Sequence, residues 1–245
     1  MHNFSKLFFL STLFSLPAVS GESITYEVDD AEYEGYWSKI DDNAPLIIML
    51  HDWDGLTEYE VKRTKMLNKL GYNVFAIDLF GKGIRPTEIQ DKKQHTGELY
   101  KDRQKLRKLL QAGAMEAKNQ GGNLENNVMI GYCFGGAAVL EAARAALPSK
   151  AYVSFHGGLS TPAGQDYSKT QSPIIVFHGS ADSMIPMEQF ANLTNQLESH
   201  KVTHEMITYS GAPHAFTVFG SEKYQIEADK KSWMRLTQIL NSVTQ

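Results

Sequence analysis

Short runs that are apolar on both faces recur along this chain, and between them apolar residues fall at helical spacing. Leu46-Ile47-Ile48-Met49-Leu50, Val74-Phe75-Ala76-Ile77, Val128-Met129-Ile130 and Pro173 to Phe177 have no polar side, and Ala151 to Phe155 reads as another strand. That is the pattern of parallel strands buried beneath helices. Val202 to Tyr209 reads as a further strand. Thr57 and Glu60 form a capping box that opens a helix running to Leu70 and stopped by Gly71. Leu99, Leu106, Leu110 and Ala117 mark one crossover helix, closed by Gly121-Gly122. Helices are also expected over Ala137 to Leu147, over Met187 to Leu197, and through Ile226, Trp233, Leu236 and Leu240. Residues 22 to 40 alternate polar and aromatic positions, which predicts an antiparallel hairpin at a sheet edge, and the polar stretch from Gly81 to His95 predicts a loop. The alternation of strand and helix specifies an α/β fold, a mainly parallel sheet with helices on both faces.

The first twenty residues break the pattern. Lys6 precedes the mostly apolar run Leu7 to Val19, and Ala18-Val19-Ser20 supplies small residues where a signal peptidase cuts. Residues 1–20 are therefore expected to be a cleaved export signal, and 21–245 a single domain delivered to the periplasm or secreted. The apolar run is shorter than the ~20 residues that span a bilayer. A formal net charge of −4, more negative once Lys6 is removed, argues against nucleic-acid or anionic-membrane partners. Cys133 is the only cysteine. An exported chain would be expected to pair its cysteines, so a lone thiol points to chemistry.

That cysteine lies in Gly131-Tyr132-Cys133-Phe134-Gly135-Gly136, where an apolar strand runs through a tight turn into an alanine-rich helix. Glycines two before and two after let the helix pass close under the strand end and leave the intervening side chain exposed on a strained turn, a nucleophile elbow carrying sulfur. The N–H groups of a helix N-terminus favour negative charge there, and the thiolate is the reactive form. Ligands of such sheets bind outside the carboxyl ends of the strands, and Asp182 and His214 each follow a strand end as Cys133 does. Nucleophile, acid, histidine is the chain order of α/β-hydrolases. In that reading His214 takes the thiol proton, Asp182 holds the imidazole tautomer, and an acyl-sulfur intermediate forms. The backbone N–H groups of Phe134 and Trp53 are the expected oxyanion donors.

Other residues compete for these roles. Asp78 ends a strand but precedes the elbow, so Asp182 is preferred. His51, His156 and His178 also end strands and, with His214, could be imagined around zinc, but they lack the short ligand spacing of closed sites and read as hydrogen-bonded turn residues. His95, His200 and His204 read as surface or strand residues. Glutamine amidotransferase-like hydrolases carry histidine directly after the nucleophile, where this chain has Phe134. A zinc-dependent hydrolase and a non-catalytic exported binding protein remain as alternatives.

With the elbow, His51-Asp52-Trp53-Asp54-Gly55, Asp78-Leu79-Phe80-Gly81 and His214-Ala215-Phe216 in view, the chain from about residue 30 to its last helix resembles the dienelactone hydrolase family. The resemblance implies an α/β-hydrolase fold, a triad of Cys133, Asp182 and His214, and hydrolysis of a small ester or lactone with no metal or other cofactor. Family members usually carry glutamate at the position of Asp52, where it interacts with the resting thiol; Asp52 is one methylene shorter. Arginines hold the substrate carboxylate in the dienelactone-cleaving enzymes. At the corresponding places this chain has Lys82 and Val218, and Lys82 or Arg85 would have to compensate.

Overall fold

In the computed structural model, residues 21–245 are described; the expected export signal over 1–20 lies outside the described residues. The strands are β1 (Glu22–Val28), β2 (Ala31–Ser38), β3 (Leu46–Leu50), β4 (Asn73–Ile77), β5 (Asn127–Tyr132), β6 (Tyr152–Phe155), β7 (Ile174–Gly179) and β8 (His204–Tyr209). They form one sheet in the order β1-β2-β4-β3-β5-β6-β7-β8. The hairpin β1–β2 joins β4 antiparallel, and every other pair is parallel. Every residue of β3 through β7 is buried, as expected of strands covered on both faces.

The helices are α1 (Glu58–Asn68), α2 (Ile89–Lys101), α3 (Arg103–Asn119), α4 (Phe134–Arg144), α5 (Met187–Ser199) and α6 (Ile226–Thr244). Alternate strand residues feed two cores. Ile48, Phe75 and Met129 pack with Leu99 of α2, Leu106 and Leu110 of α3, Leu140 of α4 and Leu197 of α5. Ile47, Val74, Ile130 and Val153 pack on the opposite face with Leu67 of α1 and Leu236 and Leu240 of α6. Because both faces are covered, substrate can approach this sheet only from its edges, and the loops after β3, β5, β7 and β8 all leave at the same one.

Two expectations change. Residues 81 to 95 are not all loop, because α2 begins at Ile89; only Thr96 and Leu99 of that helix are buried, so its apolar stripe is too thin to show in the sequence. The single crossover helix is two helices. Asp102 (φ −106°, ψ 82°) breaks it and caps α3, its carboxylate accepting from the Lys105 N–H at 2.9 Å. The capping box at α1 forms as expected: the Glu60 carboxylate accepts from the Thr57 N–H at 2.7 Å and from its hydroxyl at 2.9 Å.

Candidate active site

The turn between β5 and α4 is held by backbone contacts that admit no side chain beside the thiol. A β-carbon on Gly131 would lie 2.1 Å from the Gly135 carbonyl oxygen, and one on Gly135 would lie 2.2 Å from that of Leu50. Cys133 itself adopts φ 51°, ψ −111°, the left-handed region that costs a non-glycine residue energy, and its N–H donates to the Phe155 carbonyl at 3.0 Å. Cys133 as a residue is half-buried.

Loops after β7 and β8 bring the other two groups to it. His214 Nε2 lies 3.1 Å from Cys133 Sγ, and its Nδ1 lies 2.8 Å from Asp182 Oδ2. The other carboxylate oxygen of Asp182 accepts from the N–H groups of Met184 and Ile185, each at 2.9 Å. That bond pattern fixes the tautomer: a carboxylate so occupied requires a proton on Nδ1, which leaves Nε2 as the acceptor facing the thiol. Burial would raise the Asp182 pKa, but the His214 bond and the Ile185 and Met184 N–H groups outweigh it and hold the carboxyl below its ordinary value.

The thiol's charge is not what helix position alone suggests. Burial pushes its pKa well up, and the Asp52 carboxyl, followed by Asp54 and Asp182, adds to the rise, while the Phe134 N–H at the start of α4 opposes it. Desolvation and three acids outweigh one turn of helix, so the sulfur rests as the thiol, in contact with the base that can take its proton.

Asp52 makes no hydrogen bond to the sulfur. Its carboxylate accepts from the Asp54 N–H at 3.1 Å, and its own N–H donates to Glu60 at 3.4 Å. Burial, then Asp54 and Glu60, push its pKa well up. Glu60 is also fully buried; burial pushes it up to about 7 against its bonds to Thr57. A carboxyl whose pKa is higher folded than unfolded contributes stability that is complete below the unfolded value, 4.5, and lost as pH rises through about 7. Unfolding free energy should therefore fall between those limits, by at most about 1.4 kcal/mol per pH unit for this proton. Glu60→Gln keeps an oxygen for Thr57 and should flatten the trend, leaving the part due to Asp52; urea unfolding at pH 5 and pH 8 measures the difference.

Both basic residues expected near the substrate make contacts within the protein. Lys82 pairs with Glu32 at 3.3 Å. The Arg85 guanidinium donates to the carbonyls of Leu56, Ile84 (2.8 Å), Glu34 and Gly81, and faces Asp78 at 3.7 Å and Glu34 at 4.0 Å. Arg85 thus staples the β4 loop to β2, with four of its five N–H donors engaged by backbone carbonyls. Asp78 holds the same loop, accepting from the N–H groups of Glu34, Phe80 and Gly81, and is no rival to Asp182.

His51 is a turn residue: Nδ1–H donates to the Asp52 carbonyl at 2.6 Å and Nε2 accepts from the Leu79 N–H at 3.1 Å. His178 stacks on Phe190, and His156 bonds to Thr217. No three histidine, cysteine or acidic side chains converge as metal ligands among the described residues. Near the thiol lies an aromatic shelf absent from the sequence reading. Phe134 packs against Phe80 (5.6 Å between ring centres) and edge-on to Tyr100 (5.4 Å), and His95 stacks on Phe80. Phe80 and Phe134 adjoin motifs and could have been flagged; Tyr100 and His95 arrive only because α2 folds. The Trp53 N–H donates to no group among the described residues, and the Leu50 and His51 carbonyls that precede it press on Gly135 at the start of α4. A wall of aromatic rings, a thiol, an imidazole and spare N–H groups suit attack on a small, weakly charged carbonyl compound.

Comparison with known proteins places this geometry in company. The family model described as "Dienelactone hydrolase family" matches residues 34–244. A "Putative carboxymethylenebutenolidase" of Synechocystis sp. is 26% identical over 220 residues, 81% of this chain and 86% of that protein. A "Probable 2-oxo-3-(5-oxofuran-2-ylidene)propanoate lactonase" of Bradyrhizobium sp. is 26% identical across 77% of this chain and 80% of its own length. Among solved structures, a dienelactone hydrolase-like promiscuous phosphotriesterase from metagenomic libraries superposes with a TM-score of 0.86 at 25% identity, covering 93% of this chain and all of that one.

Proposed function

The chain belongs to the dienelactone hydrolase family, and from that premise we propose that it hydrolyses small esters or lactones through Cys133, with His214 as general base and acid and Asp182 as its orienting carboxylate. The observation that carries this reading is the unbroken line Sγ, Nε2, Nδ1, Oδ2, with contacts of 3.1 and 2.8 Å. Curated relatives named for butenolide and lactone cleavage support the substrate class.

In the first half-reaction the Sγ–H proton passes to Nε2 as the sulfur–carbon bond forms at the substrate carbonyl. The oxyanion lies against the N–H groups of Phe134 and Trp53. Collapse breaks the carbon–oxygen bond, and the leaving alkoxide takes the proton back from Nε2; in a lactone that alcohol stays tethered to the acyl group. Water then gives a proton to Nε2 and attacks the thioester, the carbon–sulfur bond breaks, and the sulfur recovers its proton. Because the thiol rests neutral, negative charge appears only once substrate is in place, next to the imidazolium that forms with it.

The test is a panel of short-chain p-nitrophenyl esters and five-membered lactones, with and without prior alkylation by iodoacetamide. Expected results are one alkyl group per chain, loss of turnover, and, in acid-quenched reactions with p-nitrophenyl acetate, one acetyl group on the Cys133 peptide. Full turnover by the alkylated protein would end the reading and leave the non-catalytic or metal-dependent alternatives.

A further inference from the structure

Behind the His214 ring lies a buried polar chain that the proposed reaction does not use. His156, at the end of β6, is fully buried, and its ring meets that of His214 nearly edge-on with centres 5.5 Å apart. Its backbone is held at φ 39°, and the next residue is pressed against the elbow helix, where a β-carbon on Gly157 would lie 2.7 Å from the Gly136 carbonyl carbon. His156 therefore packs against the His214 ring while the residue after it packs against the start of α4.

The donors in this chain can be assigned one by one. Arg63, buried on α1 and paired with Asp229 of α6, donates through Nε to the Tyr59 oxygen at 3.2 Å and through its terminal nitrogen to the Thr217 carbonyl at 2.8 Å. Tyr59 and Thr217 share a hydroxyl–hydroxyl bond of 2.7 Å, and Thr217 Oγ1 lies 2.8 Å from His156 Nε2. If His156 carried its proton on Nε2, Thr217 would accept it, and either the threonine or the tyrosine proton would then lack a partner, together with His156 Nδ1. With the proton on Nδ1, Tyr59 donates to Thr217 and Thr217 to Nε2, and only the Nδ1–H is left over. The second arrangement leaves fewer buried polar groups unsatisfied and is the one the network selects.

We propose that His156 is a positioning residue for His214, fixed as the neutral Nδ1–H tautomer by the relay Arg63–Tyr59–Thr217, and that Thr217 is the link through which α1 and α6 set the angle of the catalytic imidazole. Charge supports the same assignment. Burial, then the neighbouring His214 and Arg63, drive the His156 pKa well down. The groups facing it are Arg63 of α1, Tyr132 of β5, His178 of β7, and His214 and Phe216 of the loop after β8. A neutral ring can stand against an imidazolium during turnover without repelling it. Thr217 is three residues beyond His214, so its hydroxyl also anchors the loop that carries that residue.

This inference rests on the proposed triad, and its test separates the two. Thr217→Val removes the hydroxyl and nearly keeps the shape; kcat for a p-nitrophenyl ester should fall about ten- to a hundredfold, as for a small misplacement of a catalytic group, with KM within about twofold. Thr217→Ser restores the hydroxyl and should return kcat to within about threefold of wild type, a rescue that a purely steric role for the threonine methyl would not give. Wild-type kcat in Thr217→Val, or an equal loss in Thr217→Ser, overturns the inference. Should the valine variant not fold, Tyr59→Phe interrupts the relay one step earlier, and an unchanged kcat there overturns it equally. Cys133→Ala is the control: loss of activity in that variant beside normal Thr217→Val refutes the relay alone, whereas activity surviving in Cys133→Ala removes the triad and the relay together.

Discussion

Cys133→Ala should lower kcat/KM for a reactive ester by at least about 10⁴-fold, leaving the residual rate that oxyanion donors and binding alone provide. The size of the effect follows from the elbow. The glycines on either side exclude other side chains from the turn, and among the described residues His214 Nε2 makes its only side-chain hydrogen-bonding contact with this sulfur. A thiol placed in this way has no understudy among the described residues. Folding should be little disturbed, because alanine takes the same positive φ at similar cost and the thiol contributes one hydrogen bond. Steady-state kinetics paired with thermal unfolding checks both halves. Activity within about tenfold of wild type, in a protein with an unchanged melting temperature, would remove the thiol from the mechanism.

We propose that a resting thiol is suited to the oxidising destination that an export signal over residues 1–20 would imply. Reactivity toward oxidants follows the thiolate fraction, and here burial and the carboxyl groups of Asp52, Asp54 and Asp182 keep that fraction low. The base is nevertheless in contact. The proposed mechanism therefore needs no stored charge: the proton rests one hydrogen bond from its acceptor, and the charge would form only as the carbonyl carbon closes on the sulfur.

What the sequence revealed and what it hid divide along a physical line. The central strands were legible because burial on both faces leaves runs such as Leu46 to Leu50 without a polar residue. Cys133, Asp182 and His214 were legible because strand ends in a parallel sheet share one edge, so position along the chain gives position in space. The contacts of Arg85 with Asp78, just after β4, and Glu34 of β2 were not legible, because pairing choices between distant elements leave no local trace. The pair of Lys82 with Glu32 was hidden in the same way. Helix α2 hid because one buried threonine and one buried leucine make too narrow a stripe. His156 was recognised as a turn histidine, yet its contact with His214 spans 58 positions and is created by the register of β6 against β7 and β8. The charge state of Cys133 was hidden for a different reason: a helix N-terminus can be seen in a sequence, but the desolvation that overrides it cannot.

The second large effect is expected from Asp182→Asn, which should cut kcat by about 10⁴-fold while leaving the fold and KM nearly intact. Asp182 uses its two oxygens for different purposes. One accepts the N–H groups of Met184 and Ile185 and shapes the turn after β7; the other accepts the His214 Nδ1 proton. Asparagine can keep the first set with its single oxygen, which places its amide N–H₂ against Nδ1. Two donors then face each other unless the imidazole moves its proton to Nε2, and an Nε2–H cannot receive the thiol proton. Asp182→Ala should lose the turn bonds as well and so cost stability, which makes asparagine the cleaner probe. The same carboxylate gives an acid signature. Its pKa is held below the ordinary 3.8, so its contribution to stability is complete above that value and is lost as pH falls through the lower folded value. The asparagine variant should lack that part of the acid unfolding curve. Iodoacetamide should also react more slowly with Cys133 in this variant near neutral pH, since alkylation needs the same proton transfer to Nε2. A variant that alkylates and turns over at the wild-type rate would show that the imidazole keeps its working tautomer without the carboxylate, and Asp182 would then be a turn residue only.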